Sequence, residues 1–191
     1  STLVEHLYTH EYDSPIGILY VGVDQTGTVQ RIGFEDFRPR LPRHIWSVNK
    51  YACGEVEFQL EEYFAGTRRH FTVDTHVEGT DFQKAVWGRL RKVAYGHTIS
   101  YSTLAQKIGR RDAARAVGQA VGANPVLIVI PCHRVVLADG SPGNYAKGVL
   151  PESRGQEIKR TLLALEGRAI TAGNTGAGSE PSPSRGLSGG A

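Results

Sequence analysis

Cysteine is scarce in this chain: two in 191 residues, Cys53 and Cys132, with no Cys-x-x-Cys spacing between them. Such scarcity rules out a disulfide framework and a cysteine-rich zinc site, and it suits a reducing, intracellular setting. Long apolar runs are missing too. No segment has the length and hydrophobicity of a membrane span, and Glu5, His6 and His10 interrupt the N-terminal stretch, so neither a span nor a signal peptide is expected and the chain should be soluble. A large excess of either charge is also absent, the net being +3. What remains is an ordinary globular composition, long enough for one large or two small domains with a real core.

The small net charge hides an uneven distribution. Residues 1–83 hold 7 Lys or Arg against 13 Asp or Glu, whereas 84–115 hold 8 (Lys84, Arg89, Arg91, Lys92, Lys107, Arg110, Arg111, Arg115) against Asp112 alone. An acidic half followed by a basic segment suggests one face built for phosphates.

Residues 7–35 read as a β-meander, with strands Leu7 to Tyr12, Ile18 to Val23 and Thr28 to Phe34 separated by polar and glycine-containing turns. Two prolines with Arg38, Arg40, Arg43 and His44 make 36–48 an exposed connection. Helical spacing of Ala52, Val56, Leu60, Tyr63 and Phe64 predicts a helix over 49–64, and 70–77 alternates as a last strand. Cys53 falls in that helix and reads as a packing residue. Thr80-Asp81-Phe82-Gln83 has the form of a capping box opening a helix that Gly96 ends. A short helix over 102–108 and a second from Asp112, the latter with Ala113, Ala116, Val117, Ala120 and Val121 on one face, read as a helix-turn-helix. Beyond a loop over 149–157 comes a short helix over 158–165 that Gly167 stops. Residues 171–191, with six glycines and almost no apolar side chains, should be disordered.

The chain's chemistry centres on Ile128-Val129-Ile130-Pro131-Cys132-His133-Arg134-Val135-Val136. A strand-like apolar run leads into a proline that stiffens the bend at Cys132, and a histidine follows directly. A thiol becomes a strong nucleophile on losing its proton, and a nearby imidazole is the usual acceptor. From these residues alone a Cys-His hydrolase or a DNA-binding module without catalysis stay open beside an alkyl acceptor.

Pro131-Cys132-His133-Arg134-Val135, Ala114-Arg115-Ala116-Val117-Gly118 with Asn124-Pro125, Gly143-Asn144-Tyr145, Ile99-Ser100-Tyr101 and Leu162-Leu163-Ala164-Leu165-Glu166-Gly167 together resemble the O6-alkylguanine-DNA alkyltransferase family, across roughly 80–167. Residues 1–79 match more loosely. The resemblance implies an α+β N-terminal domain over 1–78, an antiparallel sheet with a helix and ribonuclease H-like. A mostly helical winged helix-turn-helix domain over 79–170 and the tail over 171–191 would follow. It implies repair of duplex DNA carrying O6-alkylguanine, and also O4-alkylthymine, by one irreversible transfer of the alkyl group to Cys132 after the base is flipped out of the stack. Relatives with tryptophan in place of the cysteine bind such lesions; Cys132 puts this chain with the active members.

Carried over by resemblance, the catalytic set is Cys132, His133 (reaching Cys132 through a water), Glu166 as its orienter, Asn124 as a tie on the backbone of the bend, and Tyr101 as a donor to the base. Arg115 would take the vacated place in the stack, with Tyr101, Ala114, Gln119 and Ser102 also at the DNA. Val135, Tyr145, Ala146 and Asn144 would line the pocket. No cofactor is implied, and the N-terminal zinc ligands of some members are absent, so no metal is expected. The implied partner is double-stranded DNA, without a membrane, for a monomer in the cytoplasm (or nucleus of a eukaryote), with cooperativity on DNA left open. Two departures stand out: Ala146-Lys147-Gly148 where many relatives have smaller residues, and a longer connection from Gly148 to Ile158.

Overall fold

A computed structural model of the protein describes residues 5–40 and 44–173. These group into two compact units, one running to Glu78 and taking in Pro125–Leu127, the other made of Gly79–Asn124 and the chain from Ile128 onward. Both strands and helices are present, so the class is α+β.

In the first unit, β1 (His6–Ser14) and β2 (Gly17–Val23) form a hairpin whose register runs from Tyr8 opposite Val23 to Ser14 opposite Gly17. β3 (Val29–Gly33) adds on antiparallel, with a bulge at Gly22 and Val23. The sheet is not wholly antiparallel: β4 (Ile45–Val48) lies parallel to β1, giving the order β3-β2-β1-β4. This strand falls inside the expected connection over 36–48, where prolines and arginines hide the short run Ile45-Trp46-Ser47-Val48. That connection is not simply exposed either. Phe37 is buried, and a Cβ on Gly22 would lie 2.7 Å from its ring, so the sheet needs glycine there for the aromatic to cross it. Residues 41–43 of the connection lie outside the described residues.

The expected helix over 49–64 begins late, as α1 (Gly54–Phe64). Asn49 Oδ1 accepts from the amides of Tyr51 and Ala52, which holds the preceding residues in a side-chain turn. Cys53 is buried, its Sγ 3.9 Å from the carbonyl of Tyr8, and burial followed by the charge of Glu57 pushes its thiol up to about 12. The expected strand over 70–77 reduces to a bridge of Thr75 with Val29.

The second unit opens as its sequence directs. Thr80 Oγ1 accepts from the Gln83 amide and Gln83 Oε1 accepts from Thr80 N–H, a reciprocal cap at the start of α2 (Asp81–Leu90). The helix stops at Leu90 rather than at Gly96, through tighter turns from Arg89 and Leu90. β5 (Ile99–Ser100) then pairs in parallel with β6 (Val135–Val136). Ser100 Oγ accepts from the Thr103 amide and so starts α3 (Tyr101–Lys107).

α4 (Ala114–Gly122) has Ala113 at its cap position with no side-chain bond, so Asp112 does not cap it; the turn closed by Ala113 N–H on Arg110 O sets the start one residue later. Its buried side is Val117, Ala120 and Val121, while Ala116, expected in the core, is exposed. Trp87 Nε1 donates to Ala120 O at 2.8 Å and fastens α4 to α2.

Two further expectations are corrected. The run before Pro131 is not one strand. Val126 bridges Ile32 in the first unit, and Ile128 at φ 74° turns the chain, an unusual backbone for a β-branched residue. The last helix is much longer than expected: α5 (Glu152–Gly173) absorbs most of the supposed loop over 149–157 and runs through Gly167. Pro151, directly before it, is a good helix opener. Gly155 is a packing glycine rather than a loop signal, because a Cβ there would lie 2.1 Å from Tyr145 O. Residues 171–173 of the expected tail continue this helix, and 174–191 lie outside the described residues.

Candidate active site

Cys132, His133 and Arg134 occupy one turn of 3-10 helix between Pro131 and β6, and all three are buried. The bend is fixed from two sides. Cys132 N–H donates to Ile130 O at 2.8 Å, and Asn124 Nδ2 donates to the same carbonyl at 2.7 Å. Because β6 pairs with β5, the residue after β5, Tyr101, starts its helix beside this turn. The ring of Tyr101 lies against α4, 3.8 Å from where a Cβ of Gly118 would be.

α5 contributes the buried polar groups. On its inward stripe Gly155, Ile158, Lys159, Leu162 and Glu166 follow helical spacing, so Lys159 and Glu166 lie two turns apart on an apolar face. Glu166 is 1% exposed and accepts from His133 Nε2 at 2.7 Å and Arg134 Nη2 at 3.0 Å on Oε2, and from Arg134 Nε at 2.9 Å and the Gly96 amide at 3.2 Å on Oε1. Burial would raise this carboxyl, but His133 and then Arg134 outweigh it and hold the group well below the usual carboxylate range. An ionised carboxylate only accepts, so His133 Nε2 carries the proton and Nδ1 is the basic nitrogen. Burial pushes His133 down, and Glu166 opposes that shift without overcoming it. At neutral pH the imidazole is a neutral base.

Burial also pushes the Cys132 thiol up, against the Asn124 hydrogen bond and the positive charge of Lys159. The resting nucleophile is therefore a thiol with a base and a cation close by. Lys159 is fully buried, donates to Asn144 O at 3.2 Å, and stands 5.8 Å from the centre of the Tyr101 ring. Its burial brings it down to about 8, with Cys132 acting in the other sense. Below that value it is a cation facing the sulfur. Tyr101 is raised by burial and then by Cys132, so its phenol keeps its proton and can donate.

Cys132, His133, Glu166, Asn124, Tyr101, Val135 and Tyr145 all lie in one unit, and Val135 and Tyr145 are buried. Ala146 follows at φ 53° and is half-buried, and Asn144 exposes its side chain while its carbonyl holds Lys159. Ser102, Arg115 and Gln119 are exposed on α3 and α4, and Ala114 is half-buried, so these four form a surface apart from the buried cluster. Lys147 is exposed in a turn closed by the amides of Val149 and Leu150 on Ala146 O. Sequence reasoning missed Lys159 and Arg134 as parts of the site. In sequence both resemble surface cations; for Lys159 the one hint is its helical register with Gly155, Ile158 and Leu162 on the buried face of α5. Among the described residues no group of three His, Cys, Asp or Glu could hold a metal ion, and no helix is long and apolar enough to cross a membrane.

Residues 81–168 match the family model described as 6-O-methylguanine DNA methyltransferase, DNA binding domain. A methylated-DNA–protein-cysteine methyltransferase of Methanosarcina acetivorans is 38% identical over 162 residues, spanning 84% of this chain and 99% of its own length. The protein of the same name from Mycolicibacterium paratuberculosis is 41% identical over 157 residues, 82% of this chain and 90% of its own. Among solved structures, Mycobacterium tuberculosis OGT in complex with DNA is similar with a TM-score of 0.74 at 37% identity, over 86% of this chain and 94% of that one.

Proposed function

The chain belongs to the methylated-DNA–protein-cysteine methyltransferase family, and from that premise we propose that it repairs DNA by direct reversal, with Cys132 as the acceptor of the alkyl group. The observation that carries the assignment is the buried Cys132 beside a neutral His133 whose proton is fixed on Nε2 by Glu166. The substrate is guanine alkylated on O6 in duplex DNA, and O4-alkylthymine as a second lesion. Cys132 gives its proton to His133 Nδ1 through a water, and the sulfur attacks the alkyl carbon. The carbon–O6 bond breaks with its electron pair on guanine, which takes up a proton and leaves. The net change is transfer of the alkyl group to sulfur and of one proton to guanine. Nothing in the site hydrolyses the thioether, so each molecule acts once.

Each neighbour has a role in that sequence. Asn124 holds Ile130 O and with it the bend. Tyr101 donates to the base as negative charge grows on it, and a preorganised donor there lowers the barrier. Lys159 favours the thiolate. The flipped base is held by Val135, Tyr145, Ala146 and Asn144, while Arg115 fills its place in the stack; flipping costs about a few kcal/mol. Ala114, Gln119 and Ser102 join Arg115 at the DNA, on a segment rich in positive charge. The finer fold reading is of a ribonuclease H-like first domain over 1–78 and a winged helix-turn-helix domain over 79–170, supported by the α3–α4 pair beside the β5–β6 ladder. The protein is a monomer in solution that acts on double-stranded DNA, in the cytoplasm or the nucleus of a eukaryote, with cooperativity on DNA left open.

Intact mass before and after exposure to a duplex with one O6-methylguanine tests the proposal. One methyl group per chain, mapped to Cys132, is expected. A lesion that binds without a mass gain would replace alkyl transfer by recognition alone.

A further inference from the structure

His133 and Arg134 compete for one carboxylate. Glu166 Oε2 receives His133 Nε2 at 2.7 Å and Arg134 Nη2 at 3.0 Å, while Arg134 Nε closes a second bond to Oε1. The arginine is itself held in place: Nη1 donates to Val93 O at 2.7 Å, and its guanidinium lies 5.6 Å from the centre of the Tyr95 ring. It has no freedom to swing away and leave Glu166 to the histidine.

The consequence follows from charge. A histidine facing a buried carboxylate alone would be held as imidazolium, because an opposite charge at hydrogen-bond distance favours the charged form. Here the carboxylate already has a permanent cation, since guanidinium does not lose its proton in this range. A second proton on His133 would leave an uncompensated positive charge in the core, which is costly. Lys159, from α5, adds to that repulsion. The other groups close by are Cys132 on the same turn and Tyr145, whose phenol senses both Cys132 and Glu166. Of these only Cys132, as it gives up its proton, supplies a negative charge that a protonated His133 could answer.

We infer that Arg134 is a positioning residue of the reaction: by taking both oxygens of Glu166 it keeps His133 a neutral base until Cys132 releases its proton. Removal of the arginine charge would turn His133 and Glu166 into a standing ion pair, and the base would be spent before substrate arrives. The inference rests on the reading that Cys132 is the alkyl acceptor.

The test is a titration of His133 by NMR with ring-labelled histidine, in the wild type and in Arg134→Met and Arg134→Lys, alongside the rate of alkyl transfer from free O6-benzylguanine against pH. The free base needs no flipping, so DNA binding does not enter. In the wild type His133 should be neutral at pH 7 and above. In Arg134→Met its titration should move up by about one unit or more past neutrality. The rate at pH 7 should then fall about tenfold, the share of imidazole left neutral, and recover at higher pH with an inflection that follows the NMR titration. Arg134→Lys should restore most of the wild-type profile. A rate loss in Arg134→Met with His133 unmoved would make the arginine merely structural and overturn the inference, as would a wild-type His133 already protonated at pH 7. Should Arg134→Met not fold, Arg134→Gln removes the same charge while keeping a polar side chain, and a His133 titration unmoved there overturns the inference. Absence of any transfer by a wild type whose His133 is neutral would count against the proposed function and not against this electrostatic coupling.

Discussion

At the scale of single residues, the two cysteines differ by what surrounds them. Both are buried, and burial raises both thiols. At Cys53 the charge of Glu57 raises the thiol further, whereas at Cys132 Asn124 and Lys159 pull the other way. Cys132→Ala should therefore abolish transfer while lesion binding persists, and Cys53→Ser should keep one alkyl group per chain by intact mass. Lys159 offers a graded test. Its charge is present below about 8 and is lost as pH rises through that value. Lys159→Met should slow transfer from O6-benzylguanine about tenfold near pH 7, the equivalent of one unit in the thiol, and the gap to wild type should close above pH 8 as the lysine is neutralised there too. A constant ratio from pH 6.5 to 9 would remove the charge from the explanation. Cys132 and His133 were legible because they are adjacent between apolar runs. Glu166 came from resemblance, since 33 residues of chain separate it from His133. Lys159 and Arg134 look like ordinary surface cations until the stripe of α5 and the fork on Glu166 are seen.

At the scale of elements, local rules succeeded where the signal is local. The capping box at Thr80 and Gln83 starts α2 where the sequence puts it, and Ser100 starts α3 within a residue. They failed where tertiary contact decides. Gly155 reads as a helix breaker, yet α5 runs through it because only a glycine lets the helix meet Tyr145 O. The apolar run before Pro131 reads as a strand, yet Ile128 turns it. Gly155→Ala and Gly88→Ala make a pair that separates these effects. A Cβ at 155 would meet backbone at 2.1 Å, whereas exposed Gly88 in α2 has nothing within 4 Å. Gly88→Ala should stabilise by about 0.4–1 kcal/mol through lost freedom of the unfolded chain. Gly155→Ala should destabilise by about 1–3 kcal/mol, as overpacking does, and, on the proposed role of Tyr145 in holding the flipped base, should slow transfer by displacing it. Chemical denaturation of both variants checks the first part, and the O6-benzylguanine rate the second. On α4, Arg115→Ala should slow transfer from duplex DNA far more than from the free base; equal slowing on both would assign Arg115 to the fold of the pocket.

At the scale of the whole molecule, the site ties stability to its own chemistry. Glu166 is lowered from its ordinary 4.5 and His133 from its ordinary 6.5. For both, the unfolded chain binds protons that the folded chain refuses, so stability rises with pH through that range. Acidification below about 6.5 should therefore lower the melting temperature, first through His133 and then, below 4.5, through Glu166. Alkylation should act in the same direction at constant pH. Cys132 is 5% exposed and clamped by Ile130 O and its tie to Asn124, with Val135 and Tyr145 buried beside it. A methyl group has to displace packed atoms, and overpacking costs roughly 1–3 kcal/mol. The thioether can no longer become the thiolate that Asn124 and Lys159 favour; its sulfur is only a weak acceptor for Asn124. Each kcal/mol moves the melting temperature by roughly 2–4 °C in a chain of this size. Thermal melts of free and fully alkylated protein in one buffer should differ by several degrees, with the benzyl adduct at least as low as the methyl adduct. An adduct that melts at or above the free protein would mean that the space around Cys132 accepts the product without displacement.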